Sequence, residues 1–198
     1  MQDIILIDNF VPKIIQNQLE EISCRNVYIN YLFIRDPSYF DKKLSYDFRQ
    51  NDINIVDKRE YIFTHDLLFN KVKSEFYSDF ECITDKIKKE FDMPPDLNRI
   101  KLNLSTPLPD TIGKYGVPHP DSVVQGSMIA IYYITDSDGD TILFNEFYKD
   151  SFDTNKKTIC KTISPKKGRL VLFDGCRYHA TSWPTKKERV LLNINYFP

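Results

Sequence analysis

The stretch Arg189-Val190-Leu191-Leu192-Asn193-Ile194-Asn195-Tyr196 decides the fold. In an extended chain, alternate side chains point to opposite faces. Val190, Leu192, Ile194 and Tyr196 then share one apolar face, while Arg189, Leu191, Asn193 and Asn195 share the other. Such a strand buries one side and presents polar groups on the other. An arginine at the mouth of a barrel interior is costly unless it meets an anion, and its planar fork suits a carboxylate. The competing reading is an exposed strand-start arginine paired with its neighbour Glu188.

Working outward, the chain from Asn98 onward reads as short strands broken by turn signals. The segments 100–104, 117–121, 127–134, 141–144, 157–163, 169–173, 178–181 and 189–196 carry strand patterning. Ser137-Asp138-Gly139 and Asp174-Gly175 supply turns, and Pro165-Lys166-Lys167-Gly168 a longer loop. Eight short strands in such a span fit a jelly-roll β-sandwich. The first half differs. Residues 4–7 read as a short strand, and Pro12 suits the first turn of a helix with Ile14, Ile15, Leu19 and Ile22 at helical spacing. A second helix is predicted over about 67–91, with Phe69, Val72, Phe76, Ile83, Ile87 and Phe91 sharing a face and Met93-Pro94-Pro95 closing it. Residues 28–61 read as strands and loops without a clear order. The expected class is α+β: one domain over 1–198, with a strand and helix elaboration (1–97) packed on the major sheet of a jelly-roll core (98–198).

Composition bounds the function. The 198 residues are 41% hydrophobic and 28% charged, ordinary for a globular domain with a sizeable core. With 27 basic and 28 acidic residues the net charge is −1, which argues against general nucleic-acid binding. No stretch approaches the apolar length of a membrane span, and MQDIILIDNF lacks the basic and apolar regions of a signal peptide. Cys24, Cys82, Cys160 and Cys176 form no CxxC pair, so reduced thiols in a cytoplasmic protein are expected.

Three histidines are present. His119 stands in Pro118-His119-Pro120-Asp121, read as a strand end that could aim His119 and Asp121 at one point. A third ligand from another strand, such as His179, would complete a two-histidine, one-carboxylate face of the kind that binds Fe(II) and leaves positions open. Alone, His-x-Asp reads equally well as a polar turn with a strand-end cap. His65, in Phe63-Thr64-His65-Asp66, falls outside any ligand spacing and reads as a surface or helix-start residue. Asp136-x-Asp138-x-Asp140 mimics a calcium loop, but Thr141 and Phe147 occupy the positions of its glycine and closing glutamate, so it reads as a hairpin turn. Lys186 and Lys187 read as solvated turn lysines. Cys176, Arg177 and Trp183 flank His179, either as loop packing or as lining of a substrate entrance.

The order His119-x-Asp121, His179, Arg189 resembles the Fe(II)/2-oxoglutarate-dependent dioxygenases, within them the prolyl 4-hydroxylase-like branch. Ile131-Tyr132-Tyr133-Ile134 followed by Gly139-Asp140-Thr141-Ile142-Leu143-Phe144 is similar to that branch's YYL…GGxTxxF hairpin. Gly168-Arg169-Leu170-Val171-Leu172-Phe173-Asp174 resembles its strand leading to the distal histidine, and Ile5-Leu6-Ile7-Asp8-Asn9-Phe10-Val11 its opening strand and helix. The resemblance implies that His119, Asp121 and His179 hold Fe(II). It implies that Arg189 pairs with the far carboxylate of 2-oxoglutarate, assisted by the Tyr133 hydroxyl, with Tyr132 on the opposite face beneath a helix. Asn193 stands where the family often has a Ser or Thr touching that carboxylate, and its amide can donate the same bond. Gly139-Asp140 replaces the usual paired glycines.

The implied activity is O2-dependent hydroxylation of an unactivated C–H bond, with ascorbate a candidate auxiliary reductant. The Asp121 carboxylate separates this chain from the related halogenases, which lack one there. Branch similarity points to a protein or peptide side chain, prolyl included. Oxidative demethylation of nucleic acid is an alternative, against which stand the near-neutral charge and Asn195 in the place of that group's second arginine. A small-metabolite hydroxylase and a non-catalytic jelly-roll binding module are further alternatives.

Overall fold

The computed structural model describes residues 4–26, 28–35, 47, 49–56, 61–149, 151 and 153–198. Two antiparallel sheets face each other. The larger runs β1 (Ile5–Ile7), β9 (Leu170–Asp174), β6 (Met128–Tyr133), β11 (Arg189–Phe197), β5 (Asp96–Ser105), β3 (Tyr61–Phe69) and β2 (Leu32–Arg35), with β4 (Val72–Lys73) paired to β3. The smaller sheet runs β10 (Arg177–Thr181), β7 (Thr141–Phe147) and β8 (Ile159–Ile163). This is a jelly-roll core carrying two helices, α1 (Lys13–Arg25) and α2 (Tyr77–Glu90).

The alternation on β11 sorts its residues between two cores. Val190, Leu192, Ile194 and Tyr196 pack with Leu19 of α1 and Phe80, Ile83 and Ile87 of α2. Leu191 faces the other way, into the space between the sheets, with Ile131, Tyr133, Leu143, Val171 and Phe173. Both helices therefore cover the outer face of the larger sheet, and Tyr132 lies among the residues beneath them. Ile83 and Ile87 are fully buried, and each such side chain contributes about 1.5–3 kcal/mol relative to an exposed one. Pro12 precedes α1 as expected, and Gln16 on its first turn donates to the Val11 carbonyl at 2.8 Å. Gly168 (φ +79°) turns directly against Gln16, where any Cβ would collide with that side chain. Ile14 is 64% exposed and lies off the buried face to which the spacing had assigned it.

The second helix starts later than its periodicity predicts. Residues 67–76 form the end of β3, a turn at Asn70-Lys71 and β4 instead. Both turn residues have positive φ (49° and 67°), which no helix accommodates. Phe69 and Val72, placed on the helix face by spacing, are exposed on this hairpin. The predicted strand 117–121 is likewise reduced to one bridge, His119 with His179. Pro118 and Pro120 flank His119 and remove the backbone donors a ladder needs. Of the stretch 28–61, residues 36–46, 48 and 57–60 lie outside the described part. β1, β2, β3 and β4 show that the first half supplies strands to the larger sheet as well as helices. Among the described residues, no helix is long and apolar enough to cross a membrane.

Candidate metal centre

Between the sheets lies a cavity of about 630 Å³. His179 comes from β10 and His119 from the proline-flanked segment bridged to it, so that each backbone N–H donates to the other's carbonyl at 2.9 Å. Asp121 follows two residues on. The donor atoms of His119, Asp121 and His179 all lie within 4.8 Å of one another. His119 Nε2 is 3.9 Å from one Asp121 carboxylate oxygen, and His179 Nε2 is 3.8 Å from the other.

The histidine tautomers follow from their partners. His119 Nδ1 lies 2.9 Å from the Val117 carbonyl and His179 Nδ1 3.2 Å from the Arg177 carbonyl. A carbonyl only accepts, so Nδ1 carries a proton in both rings and each Nε2 is turned toward Asp121. Burial, with the neighbouring His179 ring, lowers His119 to about 4, so its neutral, ligating form persists at physiological pH. Burial alone would raise the Asp121 carboxyl. His179, Arg99, His119 and the Asn193 amide outweigh that effect and hold it well below the usual carboxylate range. Two imidazoles and a carboxylate on one side, with open cavity on the other, match the donor preference of a divalent iron centre. The residues fit such an ion.

Asn193 donates to Asp121 at 2.7 Å, and Asn195 approaches the same oxygen at 3.5 Å. The Asn193 amide thus sits on a candidate metal ligand. Arg189 is 3% exposed. Its guanidinium donates to the hydroxyls of Thr141 at 2.6 Å and Thr181 at 3.4 Å, while Nε has no partner. Thr141 and Thr181 face each other across the β7–β10 pair, and both line the cavity. No carboxylate among the described residues forms an ion pair with Arg189, so the pairing with Glu188 is not made. The Tyr133 hydroxyl donates to Thr141 at 2.6 Å, and its ring centroid lies 5.7 Å from the Arg189 guanidinium carbon. Tyr133 therefore meets the arginine directly with its ring and shares Thr141 with it.

Trp183 lines the cavity, and its indole N–H is buried without a partner. Cys176 and Arg177 are buried elsewhere, Arg177 donating to the Phe144 carbonyl beneath the Phe147 ring. His65 lies in β3 and contacts the Asn30 carbonyl, apart from the triad. Asp138 accepts from the backbone of Thr185, Lys186 and Lys187, making the acidic hairpin a clamp on the loop before β11. Cavity-lining residues that the sequence reading passed over are Thr181 of β10 and Arg99, Lys101 and Asn103 of β5. The signal for the β5 set was present as period-two alternation in Asp96–Ser105, but alternation cannot tell a face turned to a cavity from one turned to solvent.

No protein-family model matches the chain, and no curated protein matches it in sequence. Solved structures do. A Trichoplax adhaerens prolyl hydroxylase in complex with a hypoxia inducible factor oxygen degradation domain peptide fragment superposes with a TM-score of 0.61 at 14% identity. The match covers 98% of this chain and 83% of that one. The non-heme alpha-ketoglutarate-dependent epimerase SnoN from nogalamycin biosynthesis gives 0.52 at 8% identity, covering 98% and 77%. In fold, the chain is similar to a prolyl hydroxylase and to a non-heme alpha-ketoglutarate-dependent epimerase.

Proposed function

We propose that the protein is an Fe(II)- and 2-oxoglutarate-dependent oxygenase that hydroxylates a C–H bond in a protein or peptide side chain. The observation that carries this is a buried arginine that forms no ion pair among the described residues, in the same cavity as a His–Asp–His triad. A buried guanidinium held by hydroxyls alone is costly, and a bound carboxylate would offset that cost. Thr181, which touches Arg189, and His179 of the triad are two residues apart on one face of β10, roughly 6.6 Å of strand. That is the scale of a five-carbon keto dicarboxylate, one end on the arginine and the keto-acid end toward the triad.

When bound, Fe(II) supplies the redox chemistry that couples decarboxylation of 2-oxoglutarate to insertion of oxygen from O2 into a C–H bond. The chain's own residues hold and orient. His119, Asp121 and His179 would hold the metal, with carbonyls fixing the imidazoles and Asn193 fixing the carboxylate. Arg189, Thr141 and Thr181 would bind the far carboxylate, with Tyr133 braced on Thr141. Ile131, Leu191 and Trp183 exclude water from the space between. A peptide substrate is supported by the fold shared with the peptide-bound Trichoplax enzyme. Asn195 bonds Arg99 at 3.1 Å and is 1% exposed, so it offers nothing to a nucleic-acid substrate. We place the activity in the cytoplasm, with ascorbate able to rescue oxidised iron.

The test is succinate release from 2-oxoglutarate with Fe(II), O2 and a degenerate peptide pool, with hydroxylation read as a 16 Da gain. Peptide-stimulated succinate release that is lost in His179→Ala is expected. No succinate from metal-loaded, folded protein would reject the reading and favour a non-catalytic binding module.

A further inference from the structure

The inner face of β5 is unusual. Arg99, Lys101, Asn103 and Ser105 alternate along it and line the cavity, whereas Ile100 and Leu102 face the helix core. Lys101 pairs in register with Asn193 of β11 on one side and with Asp66 of β3 on the other. Since Asn193 holds Asp121, the lysine stands one strand away from the residue that positions a metal ligand. Among the described residues, the Lys101 ammonium makes no hydrogen bond or ion pair. Arg99 spends only Nε, on the Asn195 side-chain oxygen at 3.1 Å. Asp66 is exposed and bonds to neither.

A divalent ion would balance Asp121 and leave one positive charge, and Arg189 adds another. A doubly negative keto acid cancels both. Of the two carboxylates facing Arg99 and Lys101, Asp121 would be taken up by the metal and Asp66 is exposed, so this side of the cavity retains an excess positive charge. Burial and the nearby Arg99 already disfavour the charged lysine, and an anion would relieve both effects. A further partner is missing nearby. The Asn103 side-chain oxygen is buried without a donor, a place for a peptide N–H.

We propose that Arg99 and Lys101 form an anion subsite on the substrate side of the centre, and that the hydroxylated molecule is a peptide carrying a carboxylate or phosphate on, or next to, the reacting residue. This deepens the oxygenase reading and rests on it for the word hydroxylated. The subsite itself rests on β5 alone. The carboxylate of an Asp or Glu side chain, a phosphorylated side chain and the metal-facing carboxylate of 2-oxoglutarate share the required chemistry, and the test separates them.

Trp183 is the chain's single tryptophan and lines the same cavity, so its fluorescence reports occupancy without turnover. The metal-free protein would be titrated with degenerate peptide pools that differ only in a central Asp, phosphoserine or Asn. Tighter binding of the Asp or phosphoserine pool, by about tenfold or more, is expected from charge-assisted bonds. That preference should vanish in Lys101→Gln and in Arg99→Gln and survive in Lys101→Arg. Whichever anionic pool binds tighter identifies the group. Equal binding of all pools, or a preference unchanged in both glutamine variants, overturns the proposal. In a second arm, 2-oxoglutarate affinity is measured anaerobically with Mn(II). It should be unaltered in Lys101→Gln, and a loss as large as that in Arg189→Met would give the lysine to the cosubstrate and overturn the proposal. If anion preference holds while the keto-acid complex never forms, the oxygenase reading fails and the subsite stands.

Discussion

Replacing Arg189 by Met should separate binding from stability. The guanidinium is 3% exposed, and among the described residues its partners are the hydroxyls of Thr141 and Thr181 and the neighbouring Tyr133 ring, with no carboxylate in an ion pair. Removing it takes a poorly compensated charge out of the interior and substitutes an apolar chain of similar reach. Replacement of buried ionic groups by well-packed apolar ones is often neutral or stabilising by about 1–4 kcal/mol. A gain of about 1 kcal/mol, the low end, would raise Tm by roughly 2–4 °C in a chain of this length. Cosubstrate binding should respond in the opposite sense. Breaking a buried carboxylate–guanidinium pair from one side costs about 3–5 kcal/mol, or roughly 10²–10³-fold or more in Kd. The assay is calorimetric titration of 2-oxoglutarate into the Mn(II)-loaded protein, with thermal melts alongside. At a hundred times Kd, the ligand should add about 2.7 kcal/mol to the wild type, a rise of roughly 5–11 °C, and at most about 0.4 kcal/mol, roughly 1 °C, to the variant at that concentration. The reasoning fails if the variant binds 2-oxoglutarate within a few-fold of wild type. It fails equally if the ligand-free variant melts well below wild type, because Arg189 would then be a structural residue.

Other predictions follow from single contacts. Asn193→Leu removes the 2.7 Å bond to Asp121 and should weaken Fe(II) binding about 10–100-fold by calorimetry, leaving the melting of the metal-free protein within a few degrees of wild type. Tyr133→Phe deletes a donor to Thr141 but not the arginine's own bond; a few-fold rise in 2-oxoglutarate Kd is expected, far short of the Arg189→Met effect. Asp8 is held down to about 2 by Arg169 and then Lys166, which tie β1 to the start of β9. A depressed carboxylate stabilises the fold above its unfolded pKa of about 3.9, and that contribution is lost as pH falls through about 2. Asp8→Asn should cost about 0.5–1 kcal/mol at pH 7, discounted for its partial exposure, and wild-type and variant stabilities measured by denaturant titration should converge toward pH 2.

Alternation made β11 legible, because a strand buried on both sides with different chemistry writes its two faces into the sequence. The same residues placed Arg189 inward and put Val190, Leu192, Ile194 and Tyr196 under the helices. The triad was legible through His119, Asp121 and His179 together, since the structure brings their donors within 4.8 Å. Other features were hidden for physical reasons. Phe69, Val72 and Phe76 repeat at helical spacing, yet the backbone reverses at Asn70-Lys71 through two positive φ angles, which periodicity does not register. His119 reads as a strand end because the residue before a proline is held to the same extended region that strands occupy, while the flanking prolines leave too few donors for a ladder. The polar face of β5 carries no such signature, because alternation is the same for a face turned to solvent and one turned to a cavity, and only the folded arrangement puts Arg99, Lys101 and Asn103 on the cavity wall.

The most direct test of the central claim is an anaerobic titration of the metal-free protein with Fe(II) and then 2-oxoglutarate, following the visible charge-transfer absorption of a keto acid chelating the metal. A saturable one-to-one band, absent in Asp121→Ala and reached only at much higher 2-oxoglutarate in Arg189→Met, is the predicted result. Folded protein that binds Fe(II) by calorimetry and yet develops no band at any 2-oxoglutarate concentration would contradict it.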